Sequence, residues 1–279
     1  MDGPLGSGRK ASGSEARRSL TTLRAVVEYD GTHFSGFQFQ PALRTVAGEL
    51  ERVFSQLLSA PIKVTAAGRT DAGVHATGQV VSFKTETAFP FERLALAANT
   101  ELSADVSVRE CAIVPDDFSA RFSATQRAYV YIIYNRRERA PLLAPYTCHV
   151  WAKLDFDAMQ AAAPHFLGEH DFRSFCGMLP ESGPTIRTLQ QLDVRRCGDL
   201  IRIELRADGF LHHMARAIVG TLIECGTGRC RPDEIPATLR ATDRTAAGMT
   251  ASAHGLYLAG VRYADGFDSF REPPLTAGT

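Results

Sequence analysis

Two stretches of this chain carry the same order of hydrophobic patterns, and that order admits few folds. In the first, residues 22–29 form a strand-like run rich in β-branched residues. Thr45 can then cap a helix whose apolar positions Val46, Leu50, Val53 and Leu57 recur at helical spacing. Short strands are expected at 62–66 and 79–84, a helix at 91–99 and a strand at 105–114. The second stretch repeats the sequence of events. A strand at 128–135 precedes a helix at 155–166, with Asp155 or Asp157 near its start. A hairpin follows, 188–196 and 200–207 around Gly198 and Asp199. A long helix at 211–227 ends near Gly226 and Gly228, and a strand at 255–263 closes the unit. Each stretch reads β-α-β-β-α-β, the split order of ferredoxin-like folds. The expected class is α+β, with one half at 22–115 and a related half at 116–263. Residues 1–21 are rich in Gly, Ser and Arg and are expected to be a disordered tail. Residues 264–279, ending in REPPLTAGT, are expected to be a loose tail.

Composition sets outer limits. A chain of 279 residues buries a core without disulfide staples. Its hydrophobic share of 44% and charged share of 22% exclude disorder over most of its length, and collagen-like or coiled-coil composition. No apolar run approaches the roughly 18 residues of a transmembrane helix. The N-terminus has no apolar centre, so no secretory signal is expected. Thirty-one basic and 31 acidic residues cancel, which argues against nonspecific coating of nucleic acid but leaves room for a local basic cleft. The six cysteines include no C-x-x-C pair, and reduced thiols in a cytoplasmic protein are expected. Cys225 and Cys230 have no His or Cys at zinc-site spacing, so no metal is expected.

Three segments could carry chemistry. AGRTDAGVHATGQVVSF, residues 67–83, places Arg69, Asp71 and His75 among three glycines between two strands. Asp71 could be a catalytic carboxylate, or it could bond its own turn as Asx residues do. D-A-G is similar to the aspartic-protease triplet, but the hydroxyl residue after Asp and a second such loop are both missing. In FLHHMARAIVGTLIECGTGR, residues 210–229, the helix is apolar nearly all round, which buries it. Arg216 on that helix either holds its head in solvent or pairs with an anion. Asp71 is the best candidate partner. His212 and His213, as neighbours on a helix, would point about 100° apart and would not readily share one ion; polar or RNA contacts are expected of them. In ATQRAYVYIIYN, residues 124–135, Tyr129, Tyr131 and Ile133 share one strand face, and Val130, Ile132 and Tyr134 the other. Tyr129 is either core filler or a surface on which a base stacks.

Together these strings resemble the TruA family of tRNA pseudouridine synthases. GRTDAGVHATGQV, the R-x-Y strand around Tyr129 and FLHHMARAIVGTL carry the resemblance. VEYDGTHFSGFQFQP at 27–41, GEHDFRSFCG at 168–177 and the closing TAAGMTASAHGLYLAGVRY match in the same order. The resemblance implies two tandem ferredoxin-like halves forming an extended antiparallel sheet around a central cleft. It implies that Asp71 is the catalytic aspartate, that Arg216 pairs with it, that Tyr129 contacts the target base and that Arg69 helps displace it. It implies no cofactor, a tRNA substrate modified at uridines 38, 39 or 40 of the anticodon stem-loop, and a cytoplasmic homodimer with no membrane partner. The chain departs from the pattern at Phe37, where Trp is usual, and at Ala215 and Ala217, where larger residues are usual. It also departs at Ala128 and Val130, where basic residues often flank the tyrosine; that change is expected to remove phosphate contacts. Two other classes remain open. One is a catalytically idle RNA-binding or chaperone-like relative, which has no chemical need for Asp71. The other is a glycosidic hydrolase, which calls for two carboxylates where the loop offers one.

Overall fold

The computed structural model describes residues 20–87 and 89–276. The expected N-terminal tail lies outside the described residues up to position 19, and Thr21 already belongs to the first strand.

The N-terminal half contains β1 (Thr21–Tyr29), α1 (Val46–Leu58), β2 (Thr65–Ala66), β3 (His75–Thr85), α2 (Leu94–Glu101) and β4 (Val106–Val114). The C-terminal half contains β5 (Ala124–Asn135), β6 (Cys148–Val150), α3 (Phe156–Ala162), β7 (Gly168–Asp171), β8 (Ile186–Cys197), β9 (Leu200–Ala207), α4 (Met214–Gly226), α5 (Ile235–Ala241) and β10 (Leu256–Tyr263). One sheet runs β4-β1-β3-β10-β5-β9-β8-β7, with β2 beside β3 and β6 beside β5. Read within each half, the strands order as β4-β1-β3-β2 and β10-β5-β9-β8, the same ferredoxin-like arrangement twice.

The sheet is antiparallel as expected, with two local parallel pairings. The seam between β3 and β10 is parallel, with Tyr257 opposite His75 and Leu258 opposite Ala76. In each half the third and fourth strands both run against the first. Two halves set side by side in the same orientation therefore meet in parallel. The short β6 is also parallel to β5.

Local chemistry sets the boundaries. Thr45 is extended and its hydroxyl accepts from the Gly48 N–H at 3.2 Å, which starts α1. Asp155 caps α3 in the same way from the Ala158 N–H at 3.0 Å. In α1 the fully buried positions include Phe54 and Leu58, while Leu57 is only partly buried. The expected helix at 211–227 begins at Met214, because His213 sits at a left-handed φ of 62° that a right-handed helix does not admit.

The main core includes Tyr129, Tyr131 and Ile133 on one face of β5. Val130 and Ile132 on the other face join Tyr257 and Ala259 in a smaller core, against which Phe270 and Leu275 pack. The expected loose tail is corrected here. Ser269 is 1% exposed, and its hydroxyl donates to the Gly78 carbonyl at 2.7 Å and accepts from the Val261 N–H at 2.9 Å. The Arg271 N–H donates to the Ala259 carbonyl at 2.9 Å, and the Thr77 hydroxyl to the Arg271 carbonyl at 2.7 Å. β5 and β10 are apolar on both faces, so the back of the sheet needs a cover, and this segment supplies it.

Candidate active site

The loop at 67–74 emerges where the neighbours of β3 diverge. The late part of β3 pairs with β2 through Val81 and Ser82, and its first residues pair with β10. The loop thus lies on the seam. Four contacts tie it down. The Phe37 N–H donates to the Thr70 carbonyl at 3.0 Å, and the Tyr29 and Thr70 hydroxyls share a hydrogen bond of 2.7 Å. Gln79 donates from its amide to the Gly68 carbonyl at 2.7 Å, and Arg127 donates to the Ala67 carbonyl at 3.2 Å. Phe37 is buried against Tyr29, so the departure from Trp leaves a brace for the loop in place.

Asp71 and Arg216 meet. Arg216 Nη1 donates to Asp71 Oδ2 at 2.9 Å, and its Nε donates to the Ala251 carbonyl at 2.8 Å. The arginine head is therefore inside, fixed at two atoms, rather than out in solvent.

His212 and His213 precede α4, so the expected helical divergence does not apply. Their rings stack at 3.7 Å. His213 Nε2 lies 3.3 Å from Asp71 Oδ2, and His212 Nε2 lies 3.9 Å from Oδ1. Gly177 leaves room for this pair: a Cβ there would lie 2.6 Å from His213 Nδ1. Burial pushes the His213 pKa down, and the charges of His212, Arg216 and Arg244 push the same way against Asp71. One ligand atom from each of Asp71, His212 and His213 falls within 4.8 Å of the others, a spacing that could hold a metal ion. Asp71 Oδ2 already has a guanidinium on it, and a divalent cation would sit against that fixed charge. Arg216 is the cation this carboxylate is built around.

Tyr129 is 7% exposed, with its ring edge-on to Phe210 at 4.8 Å. Burial raises its pKa well above the ordinary phenol value, so it is a protonated phenol at neutral pH. Arg69 is exposed on the loop, and among the described residues its guanidinium makes no hydrogen bond or ion pair. Asp71, Arg216, Tyr129 and Arg69 all line one cavity of about 700 Å³.

A further residue at the site is Arg127, the Arg of the R-x-Y string, on the same strand face as Tyr129. Its guanidinium donates to the carbonyls of Ala67, Ala124, Asp208 and Arg121, joining the Asp71 loop to β5 and to the β9–α4 connection. Arg187 and Phe210 also line the cavity. Phe210 opens the FLHH string; nothing in the sequence around Arg187 marks it. Ala128 and Val130 are 4% and 0% exposed, so neither side chain is presented to solvent.

A family model described as tRNA pseudouridine synthase matches residues 25–123 and 162–264. The chain is 44% identical over 249 residues to tRNA pseudouridine synthase A of Enterobacter sp. (strain 638), covering 89% of this chain and 92% of the relative. It is 46% identical over 231 residues to the protein of the same name from Halalkalibacterium halodurans, covering 82% and 88%. With that of Caldicellulosiruptor bescii it is 41% identical over 244 residues, covering 88% and 100%. Matched over most of its length by that model and by these relatives, the chain belongs to the tRNA pseudouridine synthase family.

Proposed function

We propose that the chain isomerises uridine to pseudouridine at positions 38, 39 and/or 40 of the tRNA anticodon stem-loop, with Asp71 as the catalytic group. The observation that carries this is the 2.9 Å pair of Asp71 and Arg216 in a cavity on the seam. The reaction breaks the N1–C1′ bond, turns the uracil and rejoins it to C1′ through C5, while the C5 proton leaves and N1 gains one. It is redox-neutral, and its central demand is one aimed carboxylate. Arg216 holds Oδ2, and Oδ1 accepts no hydrogen bond from the described residues. Oδ1 is thus free to act at the sugar, by attack at C1′ or by taking the 2′ hydrogen to give a glycal.

The target base must leave its stack to reach Asp71, at a cost of a few kcal/mol. Arg69, exposed and unpaired among the described residues, fills the vacated place or holds a phosphate. Tyr129, as a protonated phenol, walls the detached base and donates to it; this protonation state favours Asp71 over Tyr129 as acceptor of the C5 proton. The reading extends, on the family resemblance, to a homodimer acting on tRNA in the cytoplasm. Among the described residues no helix is long and apolar enough to cross a membrane.

The test uses tRNAs tritiated at uracil C5 with a single uridine at 38, 39 or 40. Tritium release without free uracil is expected from at least one of them. Free uracil would indicate a hydrolase, and bound tRNA with no release would indicate an idle RNA-binding relative.

A further inference from the structure

Tyr129, Phe210 and Phe122 all line the Asp71 cavity, and the first and last of these rings sit at very different depths. Tyr129 is 7% exposed, whereas Phe122 is 80% exposed. A single exposed aromatic needs no explanation. Phe122 has company: Met178 and Leu179, at 70% and 55% exposed, line the same cavity from another segment. Arg69, Arg121 and Arg187 line it as well. Apolar faces interleaved with guanidinium groups make a platform on which single-stranded bases stack while phosphates are neutralised.

The backbone under Phe122 is fixed. The Ser119 N–H donates to Ser123 Oγ at 3.0 Å, and the Ser123 N–H to the Ser119 carbonyl at 2.9 Å. The Ala120 N–H donates to Ser82 Oγ of β3 at 3.0 Å, and its carbonyl accepts from the Tyr263 hydroxyl of β10 at 2.8 Å. The Arg121 carbonyl accepts from Arg127 of β5. Three strands on both sides of the seam therefore hold a five-residue turn that displays an aromatic ring to water. A turn held this way loses little backbone freedom on contact with a ligand. The Arg121 guanidinium lies 5.3 Å from the Phe122 ring centre, close enough to meet a phosphate beside a stacked base.

We propose that Phe122 is the base-stacking residue for the nucleotide next to the target uridine, with Arg121 on the adjoining phosphate. This rests on the reading of Asp71 given above. The difference in depth assigns the parts: the target uracil goes inward to Asp71 and Tyr129, and its neighbour stays at the rim on Phe122.

The test is single-turnover tritium release from a C5-tritiated anticodon stem-loop. A second RNA carries 2-aminopurine beside the target uridine. Phe122→Ala raises the half-saturating RNA concentration about tenfold or more, as expected for one lost stack, and the saturating rate falls far less. Phe122→Trp restores half-saturation. Binding quenches 2-aminopurine with the unsubstituted chain and with Phe122→Trp, but not with Phe122→Ala. Unchanged half-saturation in Phe122→Ala, or equal impairment in Phe122→Trp, overturns the proposal. An unsubstituted chain that releases no tritium contradicts the Asp71 reading instead, and the quenching comparison then decides on Phe122 alone.

Discussion

The two halves share a strand order, yet they treat the link between their second and third strands differently. In the C-terminal half β8 and β9 are long and meet in a two-residue turn at Gly198 and Asp199. In the N-terminal half β2 is only two residues long, and the link to β3 is the loop 67–74 that carries Asp71. Cutting the second strand short does two things. It frees the start of β3 to pair with β10, which creates the seam, and it leaves a loop at that seam in place of a hairpin. The C-terminal half keeps its hairpin and contributes Tyr129 from β5 and Arg216 from α4. A repeated scaffold thus becomes a site through what one copy gives up.

If the site is shared in this way, disturbing the C-terminal half should silence a group on the N-terminal one. Arg216→Met should lower the saturating rate of tritium release by about 10²–10³, the range for losing one preorganised polar partner at a reacting centre. Arg216→Lys should recover little, since the planar fork that places Nη1 on Asp71 Oδ2 and Nε on the Ala251 carbonyl is replaced by one nitrogen on a flexible stem. Activity near that of the unsubstituted chain in Arg216→Met would separate the two halves functionally.

The next effect is on stability and falls on the back of the C-terminal half. Deleting residues 265–279 removes Phe270, Leu275 and the Ser269 bonds from the smaller core. A loss of about 3 kcal/mol in urea unfolding is expected from aromatic truncation and broken buried hydrogen bonds. Gly220→Ala should cost about 1–3 kcal/mol. Its Cβ would fall 1.7 Å from the Met249 carbonyl oxygen, so the strap over α4 must move. That strap carries the Ala251 carbonyl that fixes Arg216, so activity should fall with stability.

The smallest effect concerns pH at the seam. His75 accepts from the Gly31 N–H at its Nδ1, and its Nε2 faces the carbonyls of Pro145 and His254 at 3.0 and 3.2 Å. It therefore stitches the two halves as a neutral ring. Burial depresses its pKa, with Asp30 only partly offsetting, and the His213 pKa is depressed by burial as well. The unfolded chain then binds more protons near its own histidine pKa of about 6.5. Stability from these groups is present above that pH and is lost as pH falls through the lower folded-state values. The melting temperature should drop by a few degrees between about pH 7.5 and pH 5. His75→Gln should flatten that drop, at the expense of stability at pH 7.5.

Much of this was legible in the sequence. The repeated strand and helix order, the Thr45 and Asp155 caps and the meeting of a buried Arg216 with Asp71 each follow from local patterns or from the cost of an unpaired buried charge. What could not be read was set by the neighbours of each element. The parallel seam depends on how two halves lie side by side, which no local period records. The C-terminal cover depends on β5 and β10 being apolar on both faces, a fact that looks like ordinary strand composition until the partners are known. The helix expected from Leu211 starts three residues later than its apolar pattern, because His213 holds a left-handed backbone that no local period records.

The most direct measurement compares the unsubstituted chain with Asp71→Asn on C5-tritiated anticodon stem-loop RNA, following tritium release and RNA binding together. Asp71→Asn keeps the size of the side chain and removes the carboxylate. Release is expected from the unsubstituted chain, with none above background from Asp71→Asn and RNA binding within a few-fold in both. Release by Asp71→Asn at a rate near that of the unsubstituted chain would contradict Asp71 as the catalytic group.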